Sequence, residues 1–320
     1  MKSTKKMLSI IVSSHQQKLF DQLSENVEKT IGDIPFEIIQ IWNPGIMGIC
    51  AAYNKGAEKA KYPYLCFLHE DVLFHTQDWG HCLINHFKDD TIGLLGVAGG
   101  TVFPNCPATW WNNTILNKRH LNIIQHNNKK QSIMHDYANP IGKKIVDVVA
   151  LDGVFICARK EIFKKGISFD NKTFEGFHCY DTDICFQTLN LGYRVVVIFD
   201  IMLEHFSMGA INISWLESAE KLSNKWKNSL PLFTYEIDKS LLLLYNHNAL
   251  LEYSYLSKRE GISDKIIRNN IKKYYKSKSK IIFYKQSLRL WLWMHLGYNI
   301  YRYIYPILKY FLVFTKKFRF

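Results

Sequence analysis

Three short stretches of this 320-residue sequence carry side chains able to do chemistry. The first is His69-Glu70-Asp71, directly after the apolar run Tyr64-Leu-Cys-Phe-Leu68. A carboxylate just past a strand can reach a divalent cation whose remaining ligands are diphosphate oxygens, because hard cations prefer oxygen. A solvated acidic turn is the plainer reading, since motifs this short are unspecific. The second is Asp181-Thr182-Asp183, inside Gly176-Phe-His-Cys-Tyr-Asp-Thr-Asp-Ile-Cys-Phe186. At a helix start both acids would favour the dipole or cap it. Two residues apart on a helix they point in different directions, so one can act as a general base while the other positions or caps. The third is His205 in Glu204-His205-Phe206. Taken alone, a histidine beside apolar residues serves as readily for packing as for ligation.

The elements that must hold these groups follow from hydropathy. Residues 7–12 are a continuous apolar, β-branched run, which suits a strand buried on both faces. Gln17–Thr30 reads as a helix, Phe36–Trp42 as a second strand stopped by Asn43-Pro44-Gly45, and Gly48–Ala60 as a second helix. Tyr64–Leu68 is a third strand. This order predicts right-handed βαβ units, a mostly parallel sheet, and a site at the carboxyl ends of strands. Ser13, Ser14, Asn43 and His69–Asp71 stand at those ends. Further strands are expected at Gly93–Val97, Ile145–Leu151 and Gly192–Phe199, with a loop entering a helix over Phe177–Leu191. Residues 112–142, rich in Asn, Lys and His, read as a long mobile loop. A helix follows from Trp215, with Ser214-x-x-Glu217 as its capping box.

Six stretches in this order resemble a family 2-type glycosyltransferase of the GT-A fold, nearest the branch of streptomycin-biosynthesis glycosyltransferase-like proteins. They are Leu8-Ser-Ile-Ile-Val-Ser-Ser14, Ala52-Tyr-Asn-Lys-Gly56, Tyr64-Leu-Cys-Phe-Leu-His-Glu-Asp-Val72, Leu151-Asp-Gly-Val154, Gly176–Asp183 and Glu204-His-Phe-Ser-Met-Gly209. Lys225-Trp226 and Leu230-Pro231 close the similarity, which covers about residues 7–231. The resemblance implies an α/β GT-A domain over residues 1–231, Rossmann-like with helices on a mostly parallel sheet, and a helical extension over 232–320. It implies a nucleotide-diphosphate sugar as donor and Mn or Mg as cofactor. Ser13, Ser14, Asn43, Asn54 and Glu70 would contact the nucleotide or donor. Asp71, His205 and His69 would hold the metal, with His69 standing where the family's Asp-x-Asp motif has its first Asp. Asp181 would be the catalytic base. Asp152, Gly153 and Asp183 would touch the donor or acceptor sugar. Trp110 and Trp111 join that group because an indole face packs on sugar C–H surfaces, although a partly buried loop anchor explains them equally well.

Charge adds a second expectation. The formal net charge is +13. Residues 262–320 carry 14 of the 41 Lys and Arg but one acid, Asp264, so residues 1–261 hold 27 of each sign. The partner of this charge therefore belongs to the tail. Residues 281–320 interleave 13 aromatics with seven Lys or Arg, and their longest uncharged run, Leu290–Tyr301, falls short of the ~20 residues of a spanning helix. Such a segment suits an anionic membrane surface. Packing of a helical subdomain is the alternative, and nucleic acid the poorer one, because the body is neutral and holds no nucleic-acid motif. The seven dispersed cysteines, none in CxxC spacing, suit a reducing compartment. Together these readings place the chain in the cytoplasm, peripheral to the inner face of the membrane. There it would transfer sugars to a glycan or lipid-linked acceptor in bacterial surface-glycan assembly, or bind a sugar nucleotide or glycan without turnover.

Overall fold

Leu8-Ser-Ile-Ile-Val12 has no wholly polar face to offer water, and it folds into a strand flanked on both edges. A computed structural model describes residues 7–111, 119–127, 131–207 and 209–274. The chain runs β1 (Leu8–Ser14), α1 (Gln17–Thr30), β2 (Phe36–Trp42), α2 (Ile49–Lys59), β3 (Tyr64–Leu68), β4 (Val72–Phe74), α3 (Trp79–His86) and β5 (Ile92–Gly96). It continues through β6 (Ala98–Gly100), β7 (Val102–Phe103), β8 (Arg119–Asn127), β9 (Ser132–Ala138), β10 (Ile145–Asp147), β11 (Ala150–Leu151), β12 (Phe155–Arg159) and α4 (Lys160–Lys164). Last come α5 (Tyr180–Asn190), β13 (Arg194–Ile198), β14 (Leu203–His205), α6 (Ile213–Lys225), β15 (Leu232–Phe233), α7 (Lys239–Arg259) and α8 (Asp264–Tyr274).

The fold is mixed α/β with a central sheet flanked by helices. Its seven strands lie in the order β10-β13-β5-β12-β3-β1-β2. The opening βαβ units give the expected parallel pairs β1–β2 and β1–β3, and β5–β13 is parallel too. β12 enters between β3 and β5 antiparallel to both, and β10 is antiparallel to β13. Gly56 lets α2 come down on β1, since a Cβ there would stand 2.2 Å from Cγ2 of Ile11. Leu8, Ile10, Ile11, Leu65, Phe67, Leu94 and Ile156 form the fully buried centre.

A second sheet, β11-β6-β8-β14-β4 with β9 on β8, builds one wall of the site. It corrects the reading of residues 112–142 as one long loop. Arg119–Asn127 and Ser132–Ala138 pair as an antiparallel hairpin. The cause is the period-two alternation Arg119-x-Leu121-x-Ile123-x-Gln125, which turns those four side chains into one cleft. The expected capping box of α6 is corrected as well. Asn212 is the N-cap, its side chain accepting from Trp215 N at 2.9 Å, and Ser214 already lies inside the helix. The expected strand Ile145–Leu151 is two short strands that join different sheets.

The chain divides into one compact unit of residues 1–245 and another of residues 246–320. Within the second, Lys258 pairs with Asp264 at 2.6 Å, and Ile267 is buried. Among the described residues no helix is long and apolar enough to cross a membrane. Most of the basic-aromatic tail, residues 275–320, lies outside the described residues.

Candidate active site

The strand ends converge on a cleft of about 790 Å³ lined by Ser13, Glu70, Asp71, Asp152, Arg119 and His205 among others. A narrower recess of about 100 Å³ shares His69, Trp110, Trp111, Asp152 and Phe177 with it and reaches Asp181. Both openings are where strand polarity predicts a site.

Asp71 and His205 meet because β4 and β14 are antiparallel neighbours, with His205 opposite Val72 and Phe206 N bonded to Asp71 O at 3.0 Å. His205 Nε2 then lies 3.5 Å from Asp71 Oδ1. His69 is carried in by β3, its backbone N on Val154 O, and its ring centroid is 5.5 Å from that of His205. One ligand atom from each of His69, Asp71 and His205 falls within 4.8 Å of the others, a grouping fit for a metal ion. The donor set fits a divalent cation chemically, since imidazole and carboxylate are both common ligands of such ions.

Electrostatics point the same way. Burial alone would raise the Asp71 pKa, but the His205 hydrogen bond and charge, with Ser207 and His69, hold it well below the usual carboxylate range. His69 is pushed down to about 4, first by burial and then by the charge of His205, so its ring is neutral near pH 7. Neutral imidazole and ionised carboxylate are the forms that bind metal.

Asp181 sits in the first turn of α5, after Cys179 takes a left-handed conformation (φ 64°) that re-aims the chain. Its Oδ2 accepts from Gly153 N at 3.1 Å and its Oδ1 from Thr182 N at 2.8 Å. Burial first, and then the nearby Asp152 charge, raise its pKa to about 7, against the pull of those amides. A carboxylate poised near neutrality is suited to general-base work. Gly153 is needed for this closeness: a Cβ there would be 2.1 Å from the Tyr180 hydroxyl. Asp152 is held in turn, Oδ2 by the Trp110 indole at 3.1 Å and Oδ1 by Val154 N at 2.9 Å. Trp110 is buried, and Trp111 meets it edge to face at 5.4 Å.

Glu70 faces the cleft but is occupied by its wall. Its Oε2 accepts from the backbone N of His15 and Gln16, each at 3.1 Å, and its Oε1 lies 2.7 Å from His15 Nδ1. It thus fixes the turn between β1 and α1. Four other sequence candidates do not line the cleft. Ser14 is buried and accepts from Gln40, while Asn43 closes its turn through Met47 and donates to Ser13 Oγ at 3.3 Å. Asn54 ties both backbone groups of Phe169, at 2.7 and 3.0 Å. Asp183 turns away from Asp181, as two-residue spacing on a helix requires. It is buried against Lys225 at 2.7 Å, the Trp226 indole at 2.8 Å and Gln187 at 2.7 Å.

The sequence reading passed over His15, Arg119, Gln125, Tyr180 and Phe177. The alternation along β8 was the available signal for Arg119 and Gln125. A tyrosine beside an expected base was the signal for Tyr180, since a buried hydroxyl needs partners.

A model of the glycosyltransferase-like family matches residues 9–228. Among solved structures, GalNAc-T7, crystallised with UDP, GalNAc and Mn2+, has a TM-score of 0.46 and 11% identity, with 86% of this chain and 59% of that chain covered. The present chain thus spans less than two thirds of the GalNAc-T7 chain. Mannosyltransferase PcManGT from Pyrobaculum calidifontis, in complex with GDP-Man and Mn2+, has a TM-score of 0.46 and 11% identity over 95% and 84%. S. aureus TarS 1–349 has a TM-score of 0.47 and 13% identity over 81% and 75%. No curated protein matches the sequence significantly.

Proposed function

The chain belongs to the glycosyltransferase-like family, and from that premise we propose that it moves a sugar from a nucleoside-diphosphate donor to an acceptor hydroxyl with inversion. The observation that carries this reading is the joining of two groups at adjoining openings that share His69 and Asp152: His69, Asp71 and His205 in the cleft, and the buried, near-neutral carboxylate of Asp181 at the recess.

In this reading the donor lies along the larger cleft, with the nucleotide toward Ser13 and the turn that Glu70 holds, and its sugar toward Asp152. A divalent cation, Mn2+ or Mg2+, held by His69, Asp71 and His205, would offset the charge that grows on the departing diphosphate. Asp181 takes the proton of the acceptor hydroxyl as that oxygen bonds to the anomeric carbon. The bond from that carbon to the diphosphate oxygen breaks, and the nucleoside diphosphate leaves with its electrons. One displacement inverts the anomeric centre. Trp110 holds Asp152, and Trp111 and Phe177 offer ring faces to the acceptor.

The acceptor in this reading is a glycan or a lipid-linked sugar in surface-glycan assembly. It is met at the inner face of a bacterial membrane to which residues 262–320 bind through basic and aromatic side chains. The support is the sequence of the tail and the neutrality of the remainder.

The test is release of nucleoside diphosphate from a panel of UDP-, GDP- and dTDP-sugars, with product configuration read by NMR. Release dependent on a divalent cation, lost in Asp71→Ala and Asp181→Asn, supports the proposal. Tight binding without release from any donor, with acceptor extracts present, means that the chain binds sugar nucleotides without transferring them. A retained configuration removes the single displacement.

A further inference from the structure

The cleft wall carries a permanent positive charge that the proposed transfer leaves unused. Among the described lining residues Arg119 alone is a Lys or Arg, in a chain with 41 of them. It meets Asp136 at 3.8 Å, beyond hydrogen-bond reach, and the two side chains are 40% and 28% exposed. An ion pair so loose and so accessible to water contributes little to folding. The two arginines of the central sheet differ. Arg159 is buried and donates to the carbonyls of Phe87, Asp89 and Ile92, while Arg194 holds Asp147 at 2.6 Å and Asp89 at 2.8 Å. The fold uses both of those guanidinium groups. Among the described residues Arg119 finds no acceptor within hydrogen-bond distance, so its fork of donors remains available to the cleft.

Sheet register locates that fork. Asp136 stands opposite Ile123, so the Arg119 side chain, in reaching toward it, runs along β8 to the row of Leu121. That row continues to Ala98, whose carbonyl accepts from Asp152 N at 2.9 Å. The guanidinium and Asp152 are therefore level along the wall, with β6 and β8 between them. Gln125, the partner of His205 on β14, lies further along β8, ~13 Å of strand from Leu121. Phosphate oxygen bound to a cation stands ~2 Å from it, so a diphosphate held at His205 ends well short of Arg119. What reaches Arg119 is saccharide, and the exposed rings of Trp111 and Phe177 line the same cleft. An acidic donor sugar would meet the Asp152 carboxylate, which leaves the anion to the acceptor.

We infer that Arg119 anchors an oxyanion of the acceptor, and that the acceptor is an acidic glycan, bearing a carboxylate or a phosphodiester near the hydroxyl that attacks, rather than a neutral one. A planar guanidinium pairs with either oxyanion through two parallel hydrogen bonds, and it keeps its charge at every working pH. Asp136 keeps the fork aimed along the wall while the cleft is empty. This assignment rests on the proposed transfer and names the chemical class of its acceptor.

The test is binding of the labelled full chain, without donor, to an array of neutral glycans, uronate-bearing glycans and phosphodiester-linked glycans. The two acidic arms separate carboxylate from phosphate as the anion. At least one acidic class is expected to bind about tenfold to a hundredfold more tightly than the neutral one, the range of a charge-assisted hydrogen bond. R119Q is expected to abolish the preference, and R119K, which keeps the charge without the fork, to retain part of it. The basic tail is separated by changing the Lys and Arg of 262–320 to Ser, which is expected to leave the preference in place. A preference that survives R119Q, or that vanishes with the tail charges, overturns the assignment, as does equal or absent binding of acidic and neutral glycans. An Arg119-dependent choice of a uronate donor over its neutral counterpart, with acceptor charge immaterial, overturns it too. Donor release measured in parallel keeps the two readings apart. Release without acidic preference removes the role of Arg119 alone, whereas Arg119-dependent acidic binding with no release from any donor leaves an acidic-glycan surface and removes transfer.

Discussion

Asp181→Asn removes a carboxylate that folding makes harder to ionise, and its effect on stability has a definite pH signature. The Asp181 pKa rises from 3.8 to about 7 on folding, with burial the larger cause and Asp152 the second. The folded protein therefore holds this proton more tightly than the unfolded chain. Between those two values the folded state binds more protons, so stability falls as pH rises, and the loss is complete above the folded value. At 1.36 kcal/mol per unit, the full penalty is on the order of 4 kcal/mol, of which about 2–3 kcal/mol accrues between about pH 5 and pH 8. Asparagine escapes it. The amide leaves one of the Gly153 and Thr182 N–H groups poorly matched, at about 1–3 kcal/mol, but that cost does not depend on pH. The diagnostic quantity is thus the slope. Guanidinium unfolding of wild type and D181N at both pH values is expected to show the variant gaining about 2–3 kcal/mol relative to wild type at the higher one. Parallel pH dependences would refute the claim that burial holds this carboxylate poised near neutrality.

The same poise predicts that kcat/KM rises about tenfold per pH unit below neutrality and levels above it, because the base must be ionised; a flat profile from about pH 5 to 8 removes Asp181 from that role. Asp71→Ala is expected to cut nucleoside diphosphate release by about a hundredfold, or ~2.7 kcal/mol of barrier, without changing far-UV circular dichroism. Asp183→Ala acts on the fold instead. It strands the Trp226 indole, takes one of two acceptors from the Gln187 amide, which keeps Ser168 O, and unbalances Lys225, which keeps Asp170, for a loss of about 2–4 kcal/mol in denaturant titration. Trp110→Phe frees Asp152 Oδ2 and is expected to lower kcat/KM by about fivefold. Sedimentation with vesicles containing anionic lipid is expected to pull down the full chain at low salt and to fail when the Lys and Arg of 262–320 are changed to Ser.

Much of this was legible in local sequence. Apolar runs with turn chemistry between them located β1, α1, β2, α2 and β3, because each element's burial is written in its own residues. The hairpin β8–β9 was misread because Asn, Lys and His outnumber apolar residues there, and the alternation that drives β8 is short. The place of β12 between β3 and β5 depends on long-range pairing that no local pattern encodes. At the site, chemistry-bearing residue types pointed to His69, Asp71, Asp181 and His205. They pointed equally to Ser14, Asn43, Asn54 and Asp183, whose side chains are spent on other protein groups. Residue type names what a group can do; only its partners show whether it is free to do it. Tyr180 and Gln125 were missed for the converse reason, since a hydroxyl and an amide earn their roles here through bonds to groups distant in sequence.

In the proposed reading the cleft receives a cation and a diphosphate next to the recess that reaches Asp181. A crystal grown with Mn2+ and a nucleoside diphosphate, with diffraction collected at the manganese edge, tests it most directly. One anomalous peak is expected, bonded to His69, Asp71 and His205, with diphosphate oxygen completing its shell. A peak elsewhere, or a nucleotide bound away from this cleft, would contradict it.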